Sequence, residues 1–167
     1  IDALKPNGRG AIILPEGSLF GTNKGDKEIR RYLLEHCLLQ AVISMPTGVF
    51  QPYAGVKTSV LIFKKKPVFK LDSKEKIWFF DMKGDGSSLS AAKKFSSQYQ
   101  NDIPKLLELW GKSQKTEKPY SWITKVEEII ENDYILSANT YNPYFGEEEK
   151  KHRKPKVVLE EIEREEE

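Results

Sequence analysis

The chain has 167 residues, 38% hydrophobic and 31% charged, with a formal net charge of +2. That length supports a domain with a real core, and the composition excludes a disordered chain. A single cysteine excludes an internal disulfide or multi-cysteine metal site, the two histidines have no ligand partners at metal spacing, and neither a transmembrane-length apolar run nor an export signal is visible; a soluble, cytoplasmic protein without a metal is the expectation.

In chain order, "IDALKP" reads as the last turn of a helix stopped by Pro6 and Gly8, which implies a piece of a longer protein opening inside a fold. The apolar run "GAIILP" suits a strand buried on both faces. After a polar loop, Asp26 is the expected N-cap of a helix. That helix sets Ile29, Leu33, Leu34, Cys37 and Leu38 on one face, with Lys27, Arg30, Arg31 and Glu35 mostly opposite. Lys24, Lys27, Arg30 and Arg31 form either a solvated helix face or a basic patch near a polyanion, and Cys37 reads as an inert buried thiol.

"QAVISMP" is a second buried strand, so strand, helix and strand make a βαβ unit with a right-handed parallel crossover. The turn-rich "TGVFQPYAGVK" is too short for a helical crossover, which makes "TSVLIFKKK" a strand antiparallel to a neighbour. Its lysines, Lys64 to Lys66, read as a solvated strand end, with phosphate contact as the alternative. "KIWFFDM" is a fourth strand, and "KGDGSSLSAAKKFSSQYQ" an exposed loop with at most a weak helix. In "NDIPKLLELWG", Asp102 near the N-cap, Pro104 in the first turn and Gly111 as a stop predict a short helix. "SWITKVEEIIEND" starts extended and turns helical near Lys125, while "YILSANTYNPYF" has no clear period.

The tail from Gly146 holds 9 acidic and 6 basic residues, net −3, which leaves +5 for the preceding 145. It predicts a charged helix with Val158, Leu159 and Ile162 as apolar anchors. The expected divisions are 1–82 as the sheet-bearing part, 83–146 as an extension and 147–167 as the tail.

Three blocks, "LKPNGRGAIILPEGSLFG", "IRRYLLEHCLLQAVISMPTGVFQPYAGVKTSVLIFKKK" and "ENDYILSANTYNP", resemble the modification subunit of type I restriction-modification systems, the adenine-specific DNA methyltransferases. The similarity runs from Leu4 to Pro143, with further matches at "NDIPKLLELW" and "SWITKVEEIIENDYILS". It implies an α/β fold, the C-terminal part of a doubly wound methyltransferase sheet with a terminal antiparallel strand, followed by a mainly helical extension. Ala11–Leu14, Ala41–Met45 and Ser59–Phe63 would be the last three strands of that sheet.

The resemblance implies S-adenosylmethionine as cofactor, duplex DNA as substrate, and specificity and restriction subunits as partners. In that family the cofactor loop and the Asn-Pro-Pro-Phe/Tyr tetrapeptide precede a segment like "LKPNGRGAIILP". Neither stands in this chain, so no catalytic or cofactor-binding residue is assigned, and the chain alone is expected to be inactive. "GDGSS" follows a late strand and leads into no convincing helix, and does not replace the cofactor loop. Asn142-Pro143-Tyr144-Phe145 imitates the tetrapeptide but has one proline and no strand before it; it falls on the family's "LSxNxY" stretch (Ser137, Asn139, Tyr141) and reads as a turn.

Five residues near the carboxyl edge of the sheet are candidate substrate contacts. Phe50 would pack on an extruded adenine, with Tyr53 as the competing aromatic. Lys57 and Thr58 would meet a phosphate, and Glu16 would orient a polar group or cap its loop. Two rival readings are a non-catalytic docking module for a specificity subunit, built from 83–167, and part of a type II or phage-defence adenine methyltransferase.

Overall fold

A computed structural model of the chain describes residues 1–111 and 115–144. Its centre is a five-stranded sheet in the order β1-β3-β2-β4-β5. The strands are β1 (Arg9–Pro15), β2 (Cys37–Ser44), β3 (Thr58–Lys65), β4 (Lys76–Asp81) and β5 (Ser121–Lys125). Helices α1 (Glu16–Phe20) and α2 (Lys24–His36) join β1 to β2; α3 (Ile103–Gly111) precedes β5, and α4 (Val126–Glu131) and α5 (Ala138–Tyr141) follow it.

The apolar runs become the central strands because two cores need them, one on each face. One core gathers Leu19, Leu34, Val42, Leu61, Phe79, Trp122 and Tyr141. The other gathers Ala41, Ile43, Met45, Trp78, Phe80 and Leu109. In "KIWFFD" neighbouring aromatics therefore point to opposite faces, and both are sealed. Phe79 stacks on Trp122 with ring centroids 5.9 Å apart, and full burial of each such ring stabilises by about 1.5–3 kcal/mol.

β1 and β2 run parallel, as the crossover requires, but they are not neighbours. β3 lies between them and is antiparallel to both. The connection from β2 to β3 carries no helix, so the chain turns back in the sheet plane and fills the gap. β4 joins β2 in parallel, and β5 pairs antiparallel with β4. The extension expected to be helical thus supplies an edge strand as well.

Several expectations are corrected. β1 is apolar but not buried on both faces: Ile12 and Ile13 are 45% and 49% exposed, and among the described residues β1 pairs with β3 alone. "IDALKP" forms a turn, in which Leu4 N donates to Ile1 O (3.0 Å), rather than a helix end. Helix α2 starts earlier than expected, with Asn23 as its cap: its side chain accepts from Asp26 N (2.9 Å). Ile29, placed on the apolar face, is 68% exposed. Asp102 stands at the N-cap position of α3, its backbone O accepting from Leu106 N (2.8 Å), but its carboxylate turns back to accept from Lys83 N (2.7 Å) and Gly84 N (3.2 Å). The stretch 83–101 holds isolated bridges and no helix.

Two of the three lysines ending β3 are structural, not solvated. Lys65 Nζ donates to Ile1 O and Leu4 O and pins the opening turn. Lys66 is buried, donates to Leu34 O and Lys70 O at 2.8 Å each, and pairs with Glu75. Cys37 is buried at the start of β2, and burial pushes its thiol pKa up despite Lys65 and Lys66 nearby. Since the thiolate is the reactive form, Cys37 is expected to resist iodoacetamide in the folded chain and to react promptly in urea; equal rates in both would contradict this burial. No helix among the described residues is long and apolar enough to cross a membrane. The tail 147–167, with Val158, Leu159 and Ile162, lies outside the described residues.

Candidate functional site

The carboxyl ends of the parallel strands β1, β2 and β4 share one edge with the amino end of β3. Four of the five candidate residues sit in the turns there or at the start of β3, and Thr58 opens β3 opposite Pro15. Glu16 is the first residue of α1, yet it is only 8% exposed. Its two carboxylate oxygens accept from Ser59 Oγ of β3 (2.6 Å) and from Ser137 Oγ just before α5 (2.5 Å). Its backbone N donates to Lys57 O (2.9 Å). A buried carboxylate is stable when hydroxyls or amides satisfy it, and here hydroxyls from two distant segments do so.

Thr58 is buried, and its hydroxyl has no hydrogen-bond partner among the described residues; the same holds for Ser44 at the end of β2. Register places Ser59, Ser44 and Asp81 in one row across β3, β2 and β4. Buried hydroxyls without partners are uncommon, and these two lie at the sheet edge where ligands bind in open α/β folds. Phe50 is half-buried and packs against the second core. Tyr53, three residues on, is 96% exposed, and Lys57 is half-buried. Phe50, Tyr53, Lys57 and Thr58 therefore share one edge but differ in access, from a free ring to a sealed hydroxyl.

Asn142 makes a turn: its side-chain oxygen accepts from Tyr144 N (2.8 Å). In the segment before it, Tyr141 is buried and donates to Ile135 O (2.7 Å), and burial pushes its phenol pKa up.

Behind the edge, Arg30 ties the same segments together. It is 3% exposed and donates only to backbone carbonyls: Tyr134 O from Nε (2.7 Å), Ser18 O from Nη1 (3.1 Å), Gly21 O and Asp133 O from Nη2 (2.9 and 3.4 Å). Burial lowers its pKa and Asp26 partly offsets that, but a guanidinium stays charged. Lys27 pairs with Asp133, and Arg31 with Glu35. Of the four basic residues expected to share a face, Arg30 is internal, Lys27 and Arg31 have acidic partners, and Lys24 is exposed at the start of α2. A largely apolar cavity of about 170 Å³ lies beside Arg30, lined by Leu14, Leu19, Ile29, Leu33 and Leu61 among others. It is smaller than the roughly 300–1,000 Å³ of ordinary ligand pockets.

Sequence reasoning missed Ser59, Ser137 and the internal role of Arg30. Ser59 left one signal: it is a hydroxyl on the buried face of an apolar strand, which requires a partner. Nothing local marks Arg30, whose partners lie up to 104 residues away.

Comparison with known proteins gives a consistent result. The family described as N-6 DNA methylase matches residues 1–152. The EcoEI type I restriction enzyme methylase subunit of Escherichia coli is 30% identical over 152 residues, covering 88% of this chain and 29% of that protein. The EcoKI methylase subunit of Escherichia coli K12 is 30% identical over 140 residues, covering 80% of this chain and 26% of that one. Among solved structures, one described as showing complex assembly and conformational transition of a type I R-M system superposes with a TM-score of 0.64 at 27% identity, over 97% of this chain and 33% of that one. The type I restriction-modification methyltransferase subunit from Streptococcus thermophilus gives a TM-score of 0.57 at 29% identity, over 78% and 26%. The chain therefore spans about a quarter to a third of the length of these relatives.

Proposed function

The chain belongs to the N-6 DNA methylase family, and from that membership we propose that it forms part of a type I modification subunit that methylates the exocyclic amine of adenine in duplex DNA. The observation that carries the reading is the family match across residues 1–152 together with a fold that superposes on solved type I proteins. The substrate base must leave the helix before its amine is accessible. Phe50 and the exposed Tyr53 supply apolar rings at the sheet edge for such a base, and Lys57 supplies a charge for a phosphate. The amine is itself the nucleophile, so no covalent intermediate with the protein is required.

The family's cofactor is S-adenosylmethionine, and the residues of this chain do not fit it. The segment after β1 is Pro15-Glu16-Gly17, with a single glycine; the Glu16 carboxylate is engaged by two serines, and the helix it opens has five residues. In this reading the cofactor is held by parts of the subunit outside this chain, residues 1–82 supply one side of the methyltransferase sheet, and 83–146 extend it. The tail 147–167 would dock a specificity subunit, with a restriction subunit joining the same complex in the cytoplasm.

A chimera tests the reading. Residues 1–152 of this chain replace the matched segment of the Escherichia coli EcoEI subunit, co-expressed with its partners. Expected is N6-methyladenine in host DNA, reduced about tenfold or more in rate by Phe50→Ala, given a base–aromatic contact of roughly 1–3 kcal/mol. A chimera that folds and binds S-adenosylmethionine yet leaves DNA unmodified would overturn it. The chain alone is expected to show no binding heat with S-adenosylmethionine.

A further inference from the structure

Two loops leave the carboxyl edge: residues 46–57 after β2, and residues 86–101 between β4 and α3. Neither contains an acidic residue, although the chain has 25 in 167, and at that frequency about four would be expected in these 28 positions. They carry Lys57, Lys93 and Lys94, with a run of hydroxyl and amide side chains. The acidic residues flanking the second loop face inward. Asp102 is buried on the amides of Lys83 and Gly84. Asp85 is held by Lys93 and Ser87; burial alone would raise its pKa, but those hydrogen bonds keep it below the ordinary 3.8.

The second loop is fastened to the first. Lys93 Nζ donates to Val49 O (2.5 Å) as well as pairing with Asp85. Gly48, at φ +95°, lies so close to Leu89 that a Cβ there would be 2.2 Å from Leu89 O. Within the loop, Ser88 N donates to Lys94 O, and bridges link Ser87 with Phe95 and Asp85 with Asn101. A polar loop tied down this fully would be expected to bury its aromatics, and Tyr99 is half-buried. Phe95, by contrast, is 72% exposed, with Lys93 Nζ 5.8 Å from its ring centre and Lys94 exposed beside it. A fixed, acid-free surface that displays a ring and a lysine matches nucleic acid, where phosphates take the cation and a base or sugar takes the ring.

We propose that residues 86–101 form a second DNA-contacting loop, locked to the loop that bears Phe50 and Tyr53, in which Lys94 meets a backbone phosphate and Phe95 packs on a base or sugar. This rests on the reading that the carboxyl edge faces DNA.

The test is fluorescence anisotropy of the 167-residue chain with a short labelled duplex carrying an unpaired adenine, across a salt series. Phe95→Ala is expected to weaken binding by about fivefold or more. Lys94→Ala is expected to weaken it and to reduce the slope of log affinity against log salt by about 0.9. Lys74→Ala, at the opposite edge, should change neither. Both loop side chains are exposed, so the variants should melt with the wild type, and equal melting is checked first. If Tyr53→Ala weakens binding while the Lys94 and Phe95 variants bind as wild type, the loop proposal falls and the edge reading survives; that result would leave the loop a surface for a protein partner. If the wild-type chain does not bind DNA at low salt, both fall.

Discussion

Replacing Arg30 with alanine is expected to destabilise the chain by about 3 kcal/mol or more. The side chain is almost fully buried, and its donors satisfy four carbonyls, of Ser18, Gly21, Asp133 and Tyr134. Asp133 and Tyr134 both have positive φ (54° and 60°), a conformation that non-glycine residues hold only when their surroundings fix it. Removing the guanidinium takes from these part-buried carbonyls the donor it supplied and releases that turn from α2. Arg30→Lys keeps the charge but presents a compact ammonium that cannot span both segments, so it should recover less than half of the loss. Urea unfolding followed by circular dichroism reads the total, and hydrogen exchange at residues 133–137 reads the local part. An Arg30→Ala chain within about 0.5 kcal/mol of wild type would show that the clamp contributes nothing.

Glu16→Ala is expected to lower stability by about 2–3 kcal/mol, because it strands two buried serine hydroxyls at once. Glu16→Gln keeps an acceptor but loses the charge that strengthens both bonds, and should cost about half as much. The informative measurement is a double-mutant cycle with Ser137→Ala. Since the two residues share a bond across 121 positions, their effects should be non-additive by about 1 kcal/mol. A residue whose role is to orient substrate would behave otherwise: Glu16→Ala would leave the unfolding midpoint in place, and additive effects with Ser137→Ala would favour that role.

The parts of the fold that could be read from the sequence are those set by local pattern. "QAVIS", "TSVLIF" and "KIWFF" carry their strand character in apolar runs, although Cys37 and Leu38, read as helical, already belong to β2, and Pro104 and Gly111 bound α3. The antiparallel direction of β3 followed from the length of the loop before it. That β3 would lie between β1 and β2 did not follow from the residues, since strand order depends on packing across the whole sheet. Ile12 and Ile13 misled for a related reason: an apolar run reports what a strand can bury, and its position at the sheet edge decides what it does bury. At the candidate site, the carboxyl-edge location of Phe50 and Tyr53 was legible from strand ends alone. The Glu16–Ser137 bond was not, because no short-range pattern marks a contact between the first and last turns of the fold.

The insertion of β3 between two earlier strands also governs when the sheet can assemble. Among the described residues every backbone pairing of β1 is with β3, from Arg9 with Lys64 to Pro15 with Thr58, so the shortest loop to be closed spans more than forty residues. Among the described residues β2 likewise has no mate earlier in the chain than β3, since it pairs with β3 and β4. Contacts of such high sequence separation form slowly. During synthesis these pairings therefore cannot form until β3 has been made through Lys65. Conditions that slow translation between residues 45 and 65 would lengthen the interval in which these strands are open to chaperones or to each other.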